Sequence, residues 1–242
     1  PVMSAYGPIN RAVSEGKPLP TKLWAIDSTL TQPNYVTTHH LTISSALRLE
    51  GLLDYLCAIF AQEVDDGFTY PQEGPIDRAT FDGYFFAADV IVAIVGEIGQ
   101  REGKEGDIET DIATVQGLRP WHECIAGFYY IKPNYPGRSS HICNAGFVVP
   151  PAQRSKGYGS ILAKSFVKYA PALGYQGSVF NLVYANNHAS IKLWERLNFT
   201  KAGIIPRAGR LKRRDGQGEE YVDAIIYYKS FVDECRVLSA EL

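Results

Sequence analysis

The sequence has few cysteines and no excess of charge, and each scarcity excludes a class of protein. Its four cysteines lack the spacing of a disulfide scaffold, which predicts free thiols in a reducing compartment: Cys57, Cys124, Cys143 and Cys235. The 24 basic residues are balanced by 26 acidic ones, so the net charge is -2. A chain without a basic field is not expected to bind nucleic acid.

Long apolar segments are also missing. No run approaches the roughly 20 residues that a helix needs to span a bilayer, and residues 1–4 lack the pattern of a signal peptide. A chain of 242 residues is still long enough to bury a substantial core, in one large domain or two small ones. We therefore expect an intracellular, cytoplasmic protein with no membrane partner.

The most informative stretch that is present is residues 147–160. It combines an apolar strand end, a proline break, a glycine turn and the start of an amphipathic helix, and Arg154, Gly157 and Gly159 fit the pattern Arg/Gln-x-x-Gly-x-Gly. Glycines here let backbone N–H groups approach a bulky anion, and the helix directs the positive end of its dipole at the same place. The alternative is an ordinary strand–helix connection, because short glycine patterns also arise by chance.

A second motif, residues 187–199, follows about one strand later and begins with Asn187. In this order and spacing, the two motifs resemble the signatures of the GNAT superfamily of acetyl-CoA-dependent N-acetyltransferases. The resemblance implies that the first motif binds the pyrophosphate of acetyl-CoA and that Asn187 lies beside its pantetheine arm. The expected cofactor-binding residues are Phe147, Val148, Val149, Arg154, Ser155, Lys156, Gly157, Tyr158, Gly159, Ser160 and Asn187.

The hydrophobic pattern predicts a mixed α/β (α+β) domain. Its 3.6-residue period predicts a helix that Ser44 or Ser45 caps and Gly67 ends, and residues 90–95 are typical of a buried strand. The GNAT resemblance implies a mixed, strongly twisted sheet flanked by helices. Its fourth and fifth strands, residues 142–149 and 178–184, would splay so that the pantetheine arm inserts between them.

Three boundaries follow from composition and pattern. We interpret residues 1–35 as an N-terminal arm or edge strand, residues 36–235 as the acetyltransferase domain and residues 236–242 as a tail. Within the domain, residues 96–120 are charged and glycine-rich, which predicts a long mobile loop.

Asn144 and Asn181 are polar residues in the middle of the two strands that would splay. Asparagine is depleted in strand interiors and needs partners for its amide when buried. Their positions predict that both side chains reach the reaction centre. The alternative is that each one satisfies a local bulge.

Several further segments resemble the fungal N-acetyltransferases that detoxify proline analogues such as azetidine-2-carboxylate: residues 67–72, 128–135, 141–147, 170–175, 180–183 and 222–227. The match runs from about residue 47 to 231. This resemblance implies a small cyclic secondary amino acid as substrate, catalytic roles for Asn144 and Asn181, and a homodimer. The apolar closing strand, residues 224–228, is a candidate for the subunit boundary.

The sequence assigns neither a general acid nor a general base. Trp194 stands where many GNAT enzymes have a tyrosine that protonates the leaving thiolate, and Asn198 replaces the usual glycine, so Tyr184 is the remaining candidate donor. His141 is expected to be structural. Two other functions stay open: a GNAT enzyme for another amine, such as a polyamine or a protein N-terminus, and a non-catalytic acyl-CoA-binding module.

Two weaker signals complete the pattern. Four residues with i, i+2 spacing have the side chains of metal ligands, namely His122, Cys124, His141 and Cys143. Cysteine in an apolar strand is usually a small buried hydrophobe, so we expect no metal. Residues 210–214 form a basic run that either contacts the 3′-phosphate of the cofactor or lies solvated at a hairpin tip.

Overall fold

The computed structural model describes residues 3–4, 7–8, 18–26, 35–96 and 105–232 of the chain. The strands are β1 (Met3–Ser4), β2 (Gly7–Pro8), β3 (Thr21–Ala25), β4 (Tyr35–Leu41), β5 (Asp89–Val95), β6 (Gly106–Ile108), β7 (Ile125–Pro133), β8 (Ile142–Val148), β9 (Gly177–Tyr184), β10 (Thr200–Lys212) and β11 (Glu219–Ser230). The helices are α1 (Ile43–Ala46), α2 (Leu52–Asp66), α3 (Arg78–Phe85), α4 (Ile112–Gln116), α5 (Trp121–Cys124), α6 (Tyr158–Ala172) and α7 (His188–Arg196).

One large sheet organises the domain. Its order is β10-β11-β9-β8-β7-β5-β4-β3-β6, and β1 pairs separately with β2. Alternate residues of β5 enter opposite cores: Val90, Val92 and Ile94 pack with α2 and α3, whereas Ile91 and Ala93 pack with α6. Burial on both faces explains the continuous apolar run in this strand. The predicted mixed α/β class is confirmed.

The predicted splay of two strands is also confirmed. β8 and β9 are parallel, and they pair only at Ile142 with Gly177 and at Cys143 with Ser178. On its other side β8 pairs with β7 along its full length, from Cys143 to Val148. From Asn144 onward, the β8 edge that faces β9 therefore keeps its backbone N–H and C=O groups free of ladder partners.

The helix predicted between Ser44 or Ser45 and Gly67 is divided into two helices, α1 and α2. β4 ends at Leu41, and Thr42 rather than Ser44 or Ser45 caps the one-turn helix α1. The long helix begins only after Gly51, whose φ of 70° breaks the helix between the two. Gly67 ends α2, as predicted.

The prediction of a structureless loop over residues 96–120 was wrong for its second half. β6 pairs there with β3, and the side chain of Asp111 caps α4 by accepting a hydrogen bond from the Thr114 amide at 2.7 Å. Residues 97–104 lie outside the described residues. So do the predicted tail, 236–242, and much of the predicted arm; the described part of the arm includes β3, which pairs with β4 inside the main sheet.

The apolar closing strand does not lie at the sheet edge. Residues 224–228 belong to β11, which is covered by β10 on one side and β9 on the other, and Ala224 and Tyr227 are fully buried. The edge strand is β10, where Ile204 is 65% exposed. Among the described helices, none has the length and apolar content required to cross a membrane.

Candidate active site

A cleft of about 730 Å³ lies between the separated ends of β8 and β9. The starts of α6 and α7 and the end of α2 also contribute to its walls. It brings together most of the residues predicted for the site, namely Asn144, Phe147, Val149, Arg154, Gly157, Gly159, Ser160, Asn181 and Asn187.

Four predicted cofactor-binding residues do not line this cleft: Val148, Ser155, Lys156 and Tyr158. Val148 and Tyr158 are buried in the cores on opposite faces of the sheet. Ser155 and Lys156 are exposed, and the Lys156 amine donates to the Gln153 side chain at 2.9 Å. For these four residues the structure does not support a side-chain contact with the cofactor.

The turn before α6 has the conformation that its glycines allow. Gly157 is the N-cap residue with φ 83°, in the left-handed region, and no side chain caps the helix. A Cβ atom added at Gly157 or Gly159 would meet nothing within 4 Å. The amides of the first helical turn and the positive end of the dipole thus face open space, which fits a bound pyrophosphate.

Glu63 at the end of α2 is a site residue that the sequence analysis missed. Its side chain pairs with Arg154 at 2.5 Å and accepts a hydrogen bond from the Thr69 hydroxyl at 2.5 Å. One cation of the glycine turn is therefore already engaged by an acid in this structure. A helical glutamate without a motif offers no sequence signal for this contact.

Further cations line the same side of the cleft. Lys192 and Arg196 come from α7, and Arg214 lies at the tip of the β10–β11 hairpin, 4.9 Å from the centre of the Phe68 ring. The rest of the basic run is engaged elsewhere: Arg210 pairs with Glu73 at 2.6 Å, and Arg213 pairs with Asp215 at 2.6 Å. The run spans the end of β10 and the start of the hairpin turn, so the hairpin-tip alternative holds for Arg213 and Arg214, and Arg214 is the member that lines the cleft.

The other side of the cleft presents amides. The Asn181 Nδ2 group donates to Asn134 Oδ1 at 2.8 Å, and Asn181 Oδ1 accepts from Asn134 Nδ2 and from the Tyr135 hydroxyl, both at 3.3 Å. This network orients the Asn181 amide and leaves it one N–H for a ligand. Asn134 and Tyr135 belong to a segment that the fungal resemblance included without assigning either a role.

Asn144 faces the same space from β8. Its Oδ1 accepts a hydrogen bond from the amide of Ala145 at 2.7 Å, and among the described residues its Nδ2 group has no hydrogen-bond acceptor. The side chain is half-buried, and it lines the cleft with Asn181. Two oriented amide donors therefore lie at the split in the sheet.

Three tyrosines form the wall beside Asn144: Tyr70, Tyr84 and Tyr130. The Tyr84 and Tyr130 hydroxyls lie 3.0 Å apart, and Tyr70 donates to the Phe147 carbonyl at 3.3 Å. Burial raises the pKa of all three phenols, so they are neutral at physiological pH. A Cβ at Gly146 would lie 2.5 Å from Tyr130, so only glycine allows this packing.

Trp194, at the usual position of the general acid, and Tyr184, the other candidate proton donor, are both buried. Trp194 packs against Phe180, with ring centroids 4.4 Å apart, and has no hydroxyl to donate. Tyr184 lines the cleft, and within the described part of the chain its hydroxyl has no hydrogen-bond partner. Burial raises the pKa of this phenol, which keeps its proton available.

The four residues with metal-ligand side chains do not converge. Cys124 and Cys143 are buried in cores on opposite faces of the sheet, whereas His122 and His141 are exposed. Burial raises the pKa of Cys143 to about 12, so it is a neutral thiol rather than a thiolate ligand. The described residues contain no group of three or more potential ligands.

The split sheet, the glycine turn and the uncapped helix behind it define an acetyltransferase. A model of the acetyltransferase (GNAT) family matches residues 101–199. The N-acetyltransferase aca1 of Schizosaccharomyces pombe is 45% identical over 182 residues, which are 75% of this chain and 81% of aca1. The chain belongs to the GNAT family and is an N-acetyltransferase.

Three further proteins resemble this chain. Protein SPT10 of Saccharomyces cerevisiae is 31% identical over an alignment of 205 positions. This alignment covers 75% of this chain and 31% of SPT10. A GCN5-related N-acetyltransferase from Kribbella flavida has a TM-score of 0.60 at 19% identity, over 81% of this chain and 97% of that one. yncA of Salmonella typhimurium, solved with its cofactor acetyl-CoA, has a TM-score of 0.58 at 16% identity, over 82% of this chain and 94% of yncA.

Proposed function

We propose that the protein transfers the acetyl group of acetyl-CoA to the ring nitrogen of a small cyclic secondary amino acid, such as azetidine-2-carboxylate. The observation that carries this proposal is the pair of oriented amides, Asn144 and Asn181, beside a wall of neutral tyrosines in the cleft. N-acetylation removes the ring N–H with which such an analogue would enter a peptide bond. The reaction would therefore detoxify proline analogues in the cytoplasm.

The cleft suits acetyl-CoA for three reasons. The glycine turn offers backbone amides to the pyrophosphate, Lys192, Arg196 and Arg214 supply positive charge, and the free edge of β8 offers ladder groups to the pantetheine amides. Asn187 caps α7 by accepting from the Ser190 amide at 3.2 Å, which holds it at the mouth of the split. yncA, a structural neighbour with the same fold, binds acetyl-CoA.

The proposed reaction is direct transfer in a ternary complex. Acetyl-CoA supplies the acetyl group as a thioester. Asn144 and Asn181 hold the substrate so that its uncharged ring nitrogen faces the thioester carbonyl, and free N–H groups of β8 stabilise the oxyanion. Attack forms the new C–N bond, collapse of the oxyanion then breaks the C–S bond and releases the thiolate, and the amine proton passes to solvent.

We assign proton donation to the leaving thiolate to Tyr184. Its ring lines the cleft, its hydroxyl has no partner among the described residues, and burial keeps the phenol protonated. The Trp194 position cannot fill this role, because an indole has no hydroxyl and Trp194 is packed among phenylalanines.

Release of free thiol from acetyl-CoA, measured with a panel of amines, tests the proposed function. We expect azetidine-2-carboxylate to exceed spermidine and an alanine-terminated peptide by at least about tenfold in kcat/KM, since each lost polar contact typically costs about a factor of ten. A higher kcat/KM for spermidine or for the peptide would show that the substrate is not a cyclic amino acid. No turnover of any amine, with acetyl-CoA bound, would favour a non-catalytic module.

We also propose a homodimer. Its support is the fungal resemblance together with the exposed edge of the sheet, where Ile204 of β10 is 65% exposed and Ile205 is 39% exposed. Burial of such side chains in a second copy removes apolar surface from water. Light scattering at micromolar protein is expected to give twice the chain mass, and Ile204→Asp to shift it toward the monomer. A monomeric wild-type mass would contradict the dimer without affecting the catalytic proposal.

A further inference from the structure

Lys132 is a charged residue in a strand that is otherwise buried. β7 runs from Ile125 to Pro133, and Lys132 is partly exposed whereas the other residues of the strand are buried. In the sheet register it lies directly opposite Asn144 of β8. Lysine is almost never placed in such a strand unless its ammonium group is compensated.

The surroundings of the Lys132 ammonium group suit a cation. Nζ lies 3.7 Å from the centre of the Tyr84 ring and 4.2 Å from that of Tyr130, and it donates to the Tyr84 carbonyl, in the last turn of α3, at 3.2 Å. Ring faces and helix C-terminal carbonyls attract positive charge. Among the described residues no carboxylate forms an ion pair with Nζ.

Among the described residues the Tyr84 carbonyl is the hydrogen-bond acceptor of the ammonium group, and its other N–H donors face ring surfaces and no anion. Lys132 itself does not line the cleft, but the two rings that hold its ammonium group do, and so does Asn144 opposite it. The missing partner of this cation is an anion, and the cleft beside it is where a small one would bind.

Building on the proposed function, we propose that Lys132 is the counter-charge for the carboxylate of the substrate, and that it selects amines that carry an adjacent acid. It would contact the carboxylate from β7 while Asn144 and Asn181 present amide donors across the split. A polyamine or an uncharged amine has no carboxylate that could pair with this cation. Lys132 thereby determines specificity, and the thioester chemistry is left to the other residues.

The protonation state agrees with this role. Burial lowers the pKa of Lys132 to about 8, so the ammonium form prevails at neutral pH and is lost as pH rises through about 8. The groups that face it, Tyr84 and Tyr130, have raised pKa values and stay neutral over this range. Carboxylate binding should accordingly weaken above about pH 8.

Two substrates of nearly the same shape test the proposal: azetidine-2-carboxylate, which carries a carboxylate charge, and azetidine-2-carboxamide, which does not. Lys132→Met should lower kcat/KM for the acid by roughly ten- to a hundredfold, mainly through KM, because a hydrogen-bonded charge is lost. The amide should change by less than about threefold, within the range of a surface substitution. Lys164→Met, at an exposed position on α6, is the matched control and should change neither.

Other results would overturn the proposal. An equal fall in kcat for acid and amide would make Lys132 a proton acceptor for the amine. A lower melting temperature with an unchanged acid-to-amide ratio would reduce it to a cap of α3.

A measurement on the wild-type protein covers the case in which Lys132→Met does not fold. Cyclobutanecarboxylate has no amine, so its calorimetric affinity reports on the protein alone when CoA, whose thiol titrates in the same pH range, is left out. The affinity should fall as pH rises above about 8, and a flat profile between about pH 7 and 10 would contradict the assignment. If wild-type protein acetylates neither ring amine, the proposed function fails, and this measurement still decides the role of Lys132.

Discussion

The two walls of the cleft are built on different principles. The centre of the cofactor wall is backbone, with cationic side chains around it: Gly157 and Gly159 leave open space in front of the amides of α6. The substrate wall consists of side chains, in which Asn181 is oriented by Asn134 and Tyr135, and Tyr84 pairs with Tyr130. The first wall depends on the absence of side chains, whereas the second depends on contacts among several elements.

This difference predicts how each wall fails. A single side chain added to the backbone wall obstructs the anion directly, so the effect should be large and confined to acetyl-CoA. Removal of one amide from the substrate wall leaves its neighbours in place, so the effect should be graded and confined to the amine. Five substitutions test this contrast, from the largest expected effect to the smallest.

Gly157→Glu should abolish acetyl-CoA binding, with a loss of more than about a hundredfold in affinity, because it places bulk and negative charge where the pyrophosphate binds. Gly174→Glu is the matched control. Gly174 also has a positive φ, 89°, with nothing within 4 Å of an added Cβ, but it follows the other end of α6. Calorimetry should show loss of binding in the first variant alone, and equal affinities in two folded variants would remove the turn from the site.

Asn144→Ala and Asn181→Ala should each lower kcat/KM for azetidine-2-carboxylate by about a hundredfold, since one preorganised donor is typically worth about 3 kcal/mol. Affinity for acetyl-CoA should change by less than about twofold, because substitutions that remove no contact with a ligand usually have effects of this size. Aspartate at a carboxylate contact should be at least as harmful, because it opposes two negative charges. Normal turnover with reduced thermal stability in both alanine variants would show that these asparagines are structural.

Asn134→Ala should cost less, about tenfold in kcat/KM, because Asn134 orients Asn181 and does not line the cleft. Its effect should nearly vanish in the Asn181→Ala background, since the two amides act as a unit. Additive losses in this double-mutant cycle would mean that Asn134 acts independently of Asn181.

Glu63→Gln should have the smallest effect and the opposite sign. It releases Arg154 from its ion pair and removes a negative charge from the cleft, so acetyl-CoA should bind up to about fivefold more tightly. The gain should shrink in an Arg154→Ala background. Weaker binding in Glu63→Gln would show that the pair positions Arg154 instead of competing for it.

Prediction from sequence succeeded where local chemistry decides. The glycine turn and the helix end at Gly67 follow from conformations that few residues adopt, so they can be predicted without knowledge of the fold. The start of α2 was misplaced because Gly51 interrupts an apolar pattern that continues on both sides of it. α4 and β6 were missed because a charged, glycine-rich composition concealed them.

The sequence by itself determined the class of enzyme and the backbone wall of its cleft, because both follow from glycines and strand patterns at short range. The Asn134–Asn181 pair, the salt bridge between Glu63 and Arg154 and the contact of Lys132 with Tyr84 were decided only by the tertiary structure. Each of these contacts joins residues far apart in the chain. Local propensity carries no information about such pairs, since they form only when the sheet brings their strands together.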